Sequence, residues 1–203
     1  MDYNDIKRLY LILFVGFFVT QSGITAEKTK ESVSFPEHSS NLHEKPEIHL
    51  ENLAGLIHEY INRTRENKGI HPLQYDTALA ELAKVHSYDM AKFRYFDHVD
   101  PSGLSPTERA KTSGYTTVKR QGQNVTDGIS ENIIRIPLYK WVVFADGMTY
   151  HWRTEEEIAQ SVLSGWLESP GHRENLLNPD ADRQGIGVVI TEDLRVYVTQ
   201  DLW

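Results

Sequence analysis

The chain has 203 residues, 39% hydrophobic and 25% charged, enough for one well-buried soluble core. Its formal net charge is -8 with both signs mixed along the chain, which excludes a nucleic-acid partner of the usual kind, since that calls for a clustered basic face. Cysteine is absent, so disulfides, a thiol nucleophile, a thiolate metal site and a lipidated cysteine are excluded, and any metal must rest on His, Asp and Glu.

Lys7 and Arg8 precede an apolar run over residues 9–20, and small residues follow up to Ala26. Residues 1–26 read as a secretory signal peptide cleaved after Ala26. The apolar run is short for a membrane span, which needs roughly 20 residues. The alternative is an uncleaved N-terminal anchor, the one route by which a membrane would enter. Residues 27–47 are polar, lack an apolar period and read as a flexible linker.

A single domain is expected over residues 48–203. Leu53, Leu56, Ile57, Tyr60 and Ile61 recur at helical spacing and predict a first helix that stops near Gly69. Asp76 is a good N-cap for a second helix, with Leu79, Leu82, Ala83, His86 and Met90 as its inner stripe. Residues 107–111 predict a short helix ending at Gly114. Residues 115–153 carry no single period, but residues 138–144 are β-prone, and Asp146 with Gly147 signals a turn. Thr154 with Glu157 is a capping-box signature that opens a further helix, with Ile158, Val162, Leu163 and Trp166 on its apolar side. Two β-branched runs, residues 185–191 and 194–200, flank Glu192 and Asp193 and predict an antiparallel hairpin. Helices first and a hairpin last give an α+β class, with helices layered on a sheet.

The most informative stretch is WLESPGHRENLL over residues 166–177. Pro170 stops a helix and restricts Ser169, and Gly171 permits a change of direction. His172 is therefore expected on a rigid bend, a suitable mount for a side chain that faces a cleft. His98, in FDH at residues 96–98, and Glu131, in ENI at residues 131–133, are the other groups bracketed by structure-setting residues.

These pieces resemble the CAP superfamily, the cysteine-rich secretory, antigen 5 and pathogenesis-related 1 proteins, in its cysteine-free prokaryotic SCP form. The resemblance rests on NRTRENKGIHPL at residues 62–73, HSYDM at 86–90, FDH at 96–98, Arg109 with SGY at 113–115, ENI at 131–133, residues 166–176 and GIG at 185–187, all in family order. It implies a three-layer α-β-α sandwich with a C-terminal antiparallel hairpin and a surface cleft. It also implies a divalent-metal site, for an ion such as zinc, on His98, Glu131 and His172. Imidazole and carboxylate suit such an ion, and three protein ligands leave a position for water. The family's second acid falls on Ser169, with Glu168 one position early, about 100° around a helix, so Glu168 and Ser169 are the weaker cleft candidates. Residues 136–153 are longer than the pattern and are expected to form an extra hairpin over the cleft rim.

For His86 the reading is a hydrogen-bonded core histidine. For His98, Glu131 and His172 the alternative to a metal site is a hydrogen-bonded network that fixes the cleft wall. Trp166, Trp141, Trp152 and Trp203 read as core or rim packing, with Trp141 and Trp152 flanking the extra hairpin. The functional expectation is a secreted binding module for an extracellular or cell-envelope ligand: a lipid, peptide or glycan. One alternative is a metal-assisted extracellular hydrolase with Glu131 as ligand or general base. Another is a structural envelope protein.

Overall fold

The computed structural model describes residues 44–121, 124–144 and 147–203. The segment read as a signal peptide, residues 27–43 of the segment read as a linker, and the turn residue Asp146 lie outside these residues.

Helix α1, Leu50–Asn67, buries Leu53, Ala54, Ile57 and Ile61 on one face. The chain reverses at Gly69, whose φ of 71° is the left-handed value a side chain would resist. After the two-residue strand β1, Gln74–Tyr75, Asp76 caps helix α2, Thr77–Phe93, by accepting from the amides of Ala78 and Leu79 at 2.9 and 3.2 Å. Helix α3, Pro106–Thr112, carries a capping box between Ser105 and Glu108 with Pro106 in the first turn. The weakly patterned region holds two hairpins. Strands β2, Val118–Gln121, and β3, Asn124–Asp127, form the first. Strand β4, Ser130–Pro137, follows; then β5, Tyr139–Phe144, and β6, Met148–Trp152, form the second.

Helix α4, Glu155–Glu168, opens with the expected Thr154–Glu157 capping box. The Ser-Pro-Gly break is more than a bend, which corrects the sequence reading: it starts helix α5, Pro170–Leu176. Proline cannot continue α4, but its fixed φ suits the first turn of a new helix. His172 thus stands in the first turn of α5, and Ser169 is the joint between the two helices. Strands β7, Arg183–Ile190, and β8, Arg195–Leu202, complete the chain as the expected antiparallel pair.

The main sheet has the order β1-β7-β8-β4, antiparallel except for the short β1–β7 pairing, so β4 is an edge strand. Side chains alternate between faces. Ile133 and Tyr197 meet Met90 of α2 on one face. Ile186, Val188, Val196, Val198 and Leu202 join α1 and α4 in the main core on the other. This is a three-layer α-β-α sandwich. The close approach of α2 to β7 depends on the GIG motif. A Cβ on Gly185 would lie 2.0 Å from the Ala80 amide nitrogen, and one on Gly187 2.0 Å from that of Lys84.

The β5–β6 hairpin does not lie beside His172, against the expectation of a hairpin over a cleft rim. Lys140 pairs with Glu157, in the first turn of α4, and Arg153 donates to the Pro137 carbonyl at 2.9 Å. His172 follows the other end of α4, roughly 20 Å away at 1.5 Å per residue. The eight-residue length of β4 carries the chain past the site before the hairpin begins.

Candidate functional site

Residues 131 and 132 follow Ser130 at the start of the edge strand, and their alternation decides the site. Glu131 points to the α2 face and Asn132 to the α4–α5 face. The Glu131 side chain is only 1% exposed, and both of its oxygens are engaged. Oε2 accepts from Nη2 of Arg109, on α3. Oε1 accepts from Nδ1 of His98 at 2.7 Å. A carboxylate at Nδ1 requires the proton on that nitrogen and leaves Nε2 as the open position of the ring. Arg109 also donates through Nη1 to the carbonyls of His98, at 2.7 Å, and Leu104, at 3.1 Å. One guanidinium therefore holds the His98 backbone while its partner Glu131 holds the His98 ring. The hydrogen bond to Glu131 raises the His98 pKa above the ordinary imidazole value.

Two buried groups back Glu131. His86 lies 3.7 Å from its Oε1, with Nε2 3.1 Å from the Asp97 carbonyl, and burial lowers its pKa. It is the hydrogen-bonded core histidine that the sequence predicts. Asp201 is the register partner of Glu131 on β8, on the same face. Burial, and then the Glu131 charge, push its carboxyl well above the carboxylate range. That favours a protonated Asp201, which can donate to Glu131 as an ionised one could not.

On the opposite face, amides fasten α5 to β4. Asn132 Nδ2 donates to the His172 carbonyl at 3.1 Å and to Gln200 Oε1 at 2.8 Å. Asn175 Nδ2 donates to Asn132 Oδ1 at 3.0 Å and to the Glu131 carbonyl at 3.2 Å. The far end of α5 is held by Arg65, fully buried on α1. Its Nη1 donates to the carbonyls of Leu176 and Asn178, both at 2.9 Å, and its Nε to that of His71 at 2.9 Å. A cation at a helix C-terminus also opposes the helix dipole.

The result is that His98 and His172 face each other across the β4 edge, ring centroids 6.3 Å apart and planes inclined at 58°. The His172 ring makes no hydrogen bond among the described residues. Burial, and then His98, lower its pKa. Glu168 is exposed at the end of α4, and Ser169 donates its amide to the Gly165 carbonyl at 3.3 Å; neither hydrogen bonds to the histidine pair. Among the described residues, no group of three or more His, Asp or Glu side chains is placed to hold a metal.

The model of the CAP family, the cysteine-rich secretory protein family, matches residues 58–202. The chain belongs to the CAP family. It is 30% identical over 165 residues to the Bacillus subtilis protein YkwD, covering 81% of this chain and 49% of that protein. An extracellular Bacillus anthracis protein containing an SCP domain is 26% identical, with a TM-score of 0.52 over 75% of this chain and 40% of that one. An outer surface protein of Borrelia burgdorferi has the same fold at 18% identity, with a TM-score of 0.56 over 78% of this chain and 98% of its own. The chain thus spans about half the length of YkwD.

Of the groups that build this CAP site, sequence reasoning assigned no site role to Arg109, Asp201, Asn132, Asn175 and Arg65. Arg109, Asn132, Asn175 and Arg65 all stood within family-like motifs. For Asp201 the available signal was the polar run from Thr199 to Asp201 at the end of an apolar strand. Buried polar residues there require partners.

Proposed function

We propose that this CAP domain is an extracellular binding module whose ligand seat is the gap between His98 and His172. The observation that carries the reading is the pairing of unlike imidazoles. One is locked through Nδ1 with Nε2 open, and the other has an unpartnered ring 6.3 Å away. Glu131 serves as the fixed partner that sets the His98 tautomer. A carboxylate behind a histidine is the usual outer support of a metal ligand. His98 and His172 would accordingly be the residues that hold a divalent ion such as zinc, which supplies positive charge for gripping an anionic or carbonyl group. Hydrolysis is disfavoured because Glu131, 1% exposed and engaged at both oxygens, is not reachable as a general base. The extracellular setting is supported by the apolar segment over residues 9–20 and by the Bacillus anthracis relative, described as extracellular. Among the described residues, no helix is long and apolar enough to cross a membrane.

Zinc titration of the purified protein, followed by calorimetry, tests the seat. Saturable uptake of about one ion per chain is expected, as for a single cluster. It should disappear in a His98→Ala, His172→Ala double variant. Unchanged stoichiometric uptake in that variant would overturn the assignment.

A further inference from the structure

On the α2 face of the sheet, away from the histidine pair, lies a groove of about 880 Å³. Arg135 lines it from β4, four residues beyond Glu131 and so roughly 13 Å along the strand. Tyr88, Lys92 and Arg94 line it from α2 and its C-terminal cap, and Arg195 and Tyr197 from β8. Glu192 and Asp193 are the acids of the lining. Arg195 pairs with Asp193 at 2.9 Å. Lys92, Arg94 and Arg135 have no ion pair among the described residues. In a chain of net charge -8, the groove is a local excess of positive charge, and a concave wall concentrates its field.

Two of the groove's cations, Lys92 and Arg135, rest on rings. The Arg135 guanidinium stands 5.1 Å from the Phe96 centroid and 5.8 Å from that of Tyr197. The Lys92 ammonium stands 5.4 Å from the Tyr88 centroid and 5.2 Å from that of Phe93. Cation–π support holds such groups while leaving their N–H donors free. Tyr88, Phe93 and Phe96 remain substantially exposed. Arg94 caps α2 in the left-handed conformation, φ 59°, where glycine would sit without strain. A charged side chain is kept there at a backbone cost.

We infer that this groove binds an acidic glycan, with a sugar ring packed on the exposed Tyr88 and sugar carboxylates paired with Arg94 and Arg135. An exposed tyrosine ring beside unpaired arginines matches a polymer whose sugar rings each carry an anion. Arginine's planar fork can take a carboxylate through two donors. A bilayer surface is flat and does not enter a concavity of this kind.

The test is calorimetric titration of the full chain with a galacturonate oligomer of about ten sugars, against a dextran of equal length. The oligogalacturonate should bind and dextran should not. Arg94→Gln with Arg135→Gln should weaken binding about tenfold or more, and lower the slope of log K against log salt by about two, one per lost contact. Tyr88→Ala should weaken binding while leaving that slope unchanged. His98→Ala with His172→Ala should leave it intact, since this site is independent of the histidine seat. Tyr88, Arg94 and Arg135 are exposed, and circular dichroism checks that all the variants fold. Absent binding of the oligogalacturonate, equal binding of dextran, or unchanged affinity in the arginine variant would overturn the inference. So would tighter binding of phosphatidylglycerol vesicles or a thymidine decamer that the arginine variant loses.

Discussion

His98 and His172 stand with ring centroids 6.3 Å apart and are held in opposite ways. The His98 ring is fixed by a buried carboxylate, which is itself fixed by Arg109. Among the described residues the His172 ring has no such partner; its backbone is what is held, through Asn132 and the α5 anchor. The same contrast shows in their protonation, with His98 raised by Glu131 and His172 lowered by burial. The edge strand explains the difference. Consecutive residues on β4 face opposite layers, so Glu131 meets charge on the α2 side while Asn132 meets neutral amides on the other. The pair thus joins one ring held by a carboxylate to one held through its backbone.

The contrast breaks most severely at Glu131. Glu131→Ala leaves Arg109 and His98 without their acceptor, and loss of one partner from a buried ion pair costs about 3–5 kcal/mol. Urea unfolding should show that loss, and a variant within about 0.5 kcal/mol of wild type would contradict the account. Asn132→Ala is expected to be next. It strips the donor from the His172 carbonyl and Gln200, a loss of about 2 kcal/mol, and should weaken zinc uptake while leaving the His98 pKa raised. The histidines themselves rank last. His98→Ala removes a half-exposed hydrogen bond worth about 1 kcal/mol, whereas His172→Ala should stay within about 0.5 kcal/mol of wild type. Equal losses would remove the asymmetry.

Asp201 sharpens the comparison through pH. Its folded pKa is raised above the unfolded value, so above about pH 3.8 the unfolded chain binds fewer protons than the native one. Stability from this group is therefore full at low pH and declines as pH rises from 3.8 toward the folded pKa. Asp201→Asn should flatten that decline, and thermal melts of both proteins across this window should converge at the acid end. Parallel pH profiles would show that Asp201 is not the neutral partner of Glu131.

Local signals were readable in the sequence. The Asp76 cap, the Thr154–Glu157 capping box, the stripe of α1 and the β7–β8 pairing each depend on residues close together in the chain. The resemblance to the family brought His98, Glu131 and His172 into view. The partners of Glu131 were less readable, because Arg109 lies 22 residues away and Asp201 reaches it only through sheet register. The second role of Pro170, opening α5 while ending α4, depends on where α5 docks, which Arg65 and Asn175 decide. The β5–β6 hairpin was foreseen but misplaced, since its position follows from the length of β4 and the end of α4 it meets.

Ring-proton NMR titration of the histidines tests the central claim most directly. A His98 midpoint above the ordinary imidazole value of 6.5 and a His172 midpoint below it are expected, with His98 falling in Glu131→Gln while His172 stays low. A His98 midpoint at or below that of His172, or one indifferent to Glu131→Gln, would contradict it.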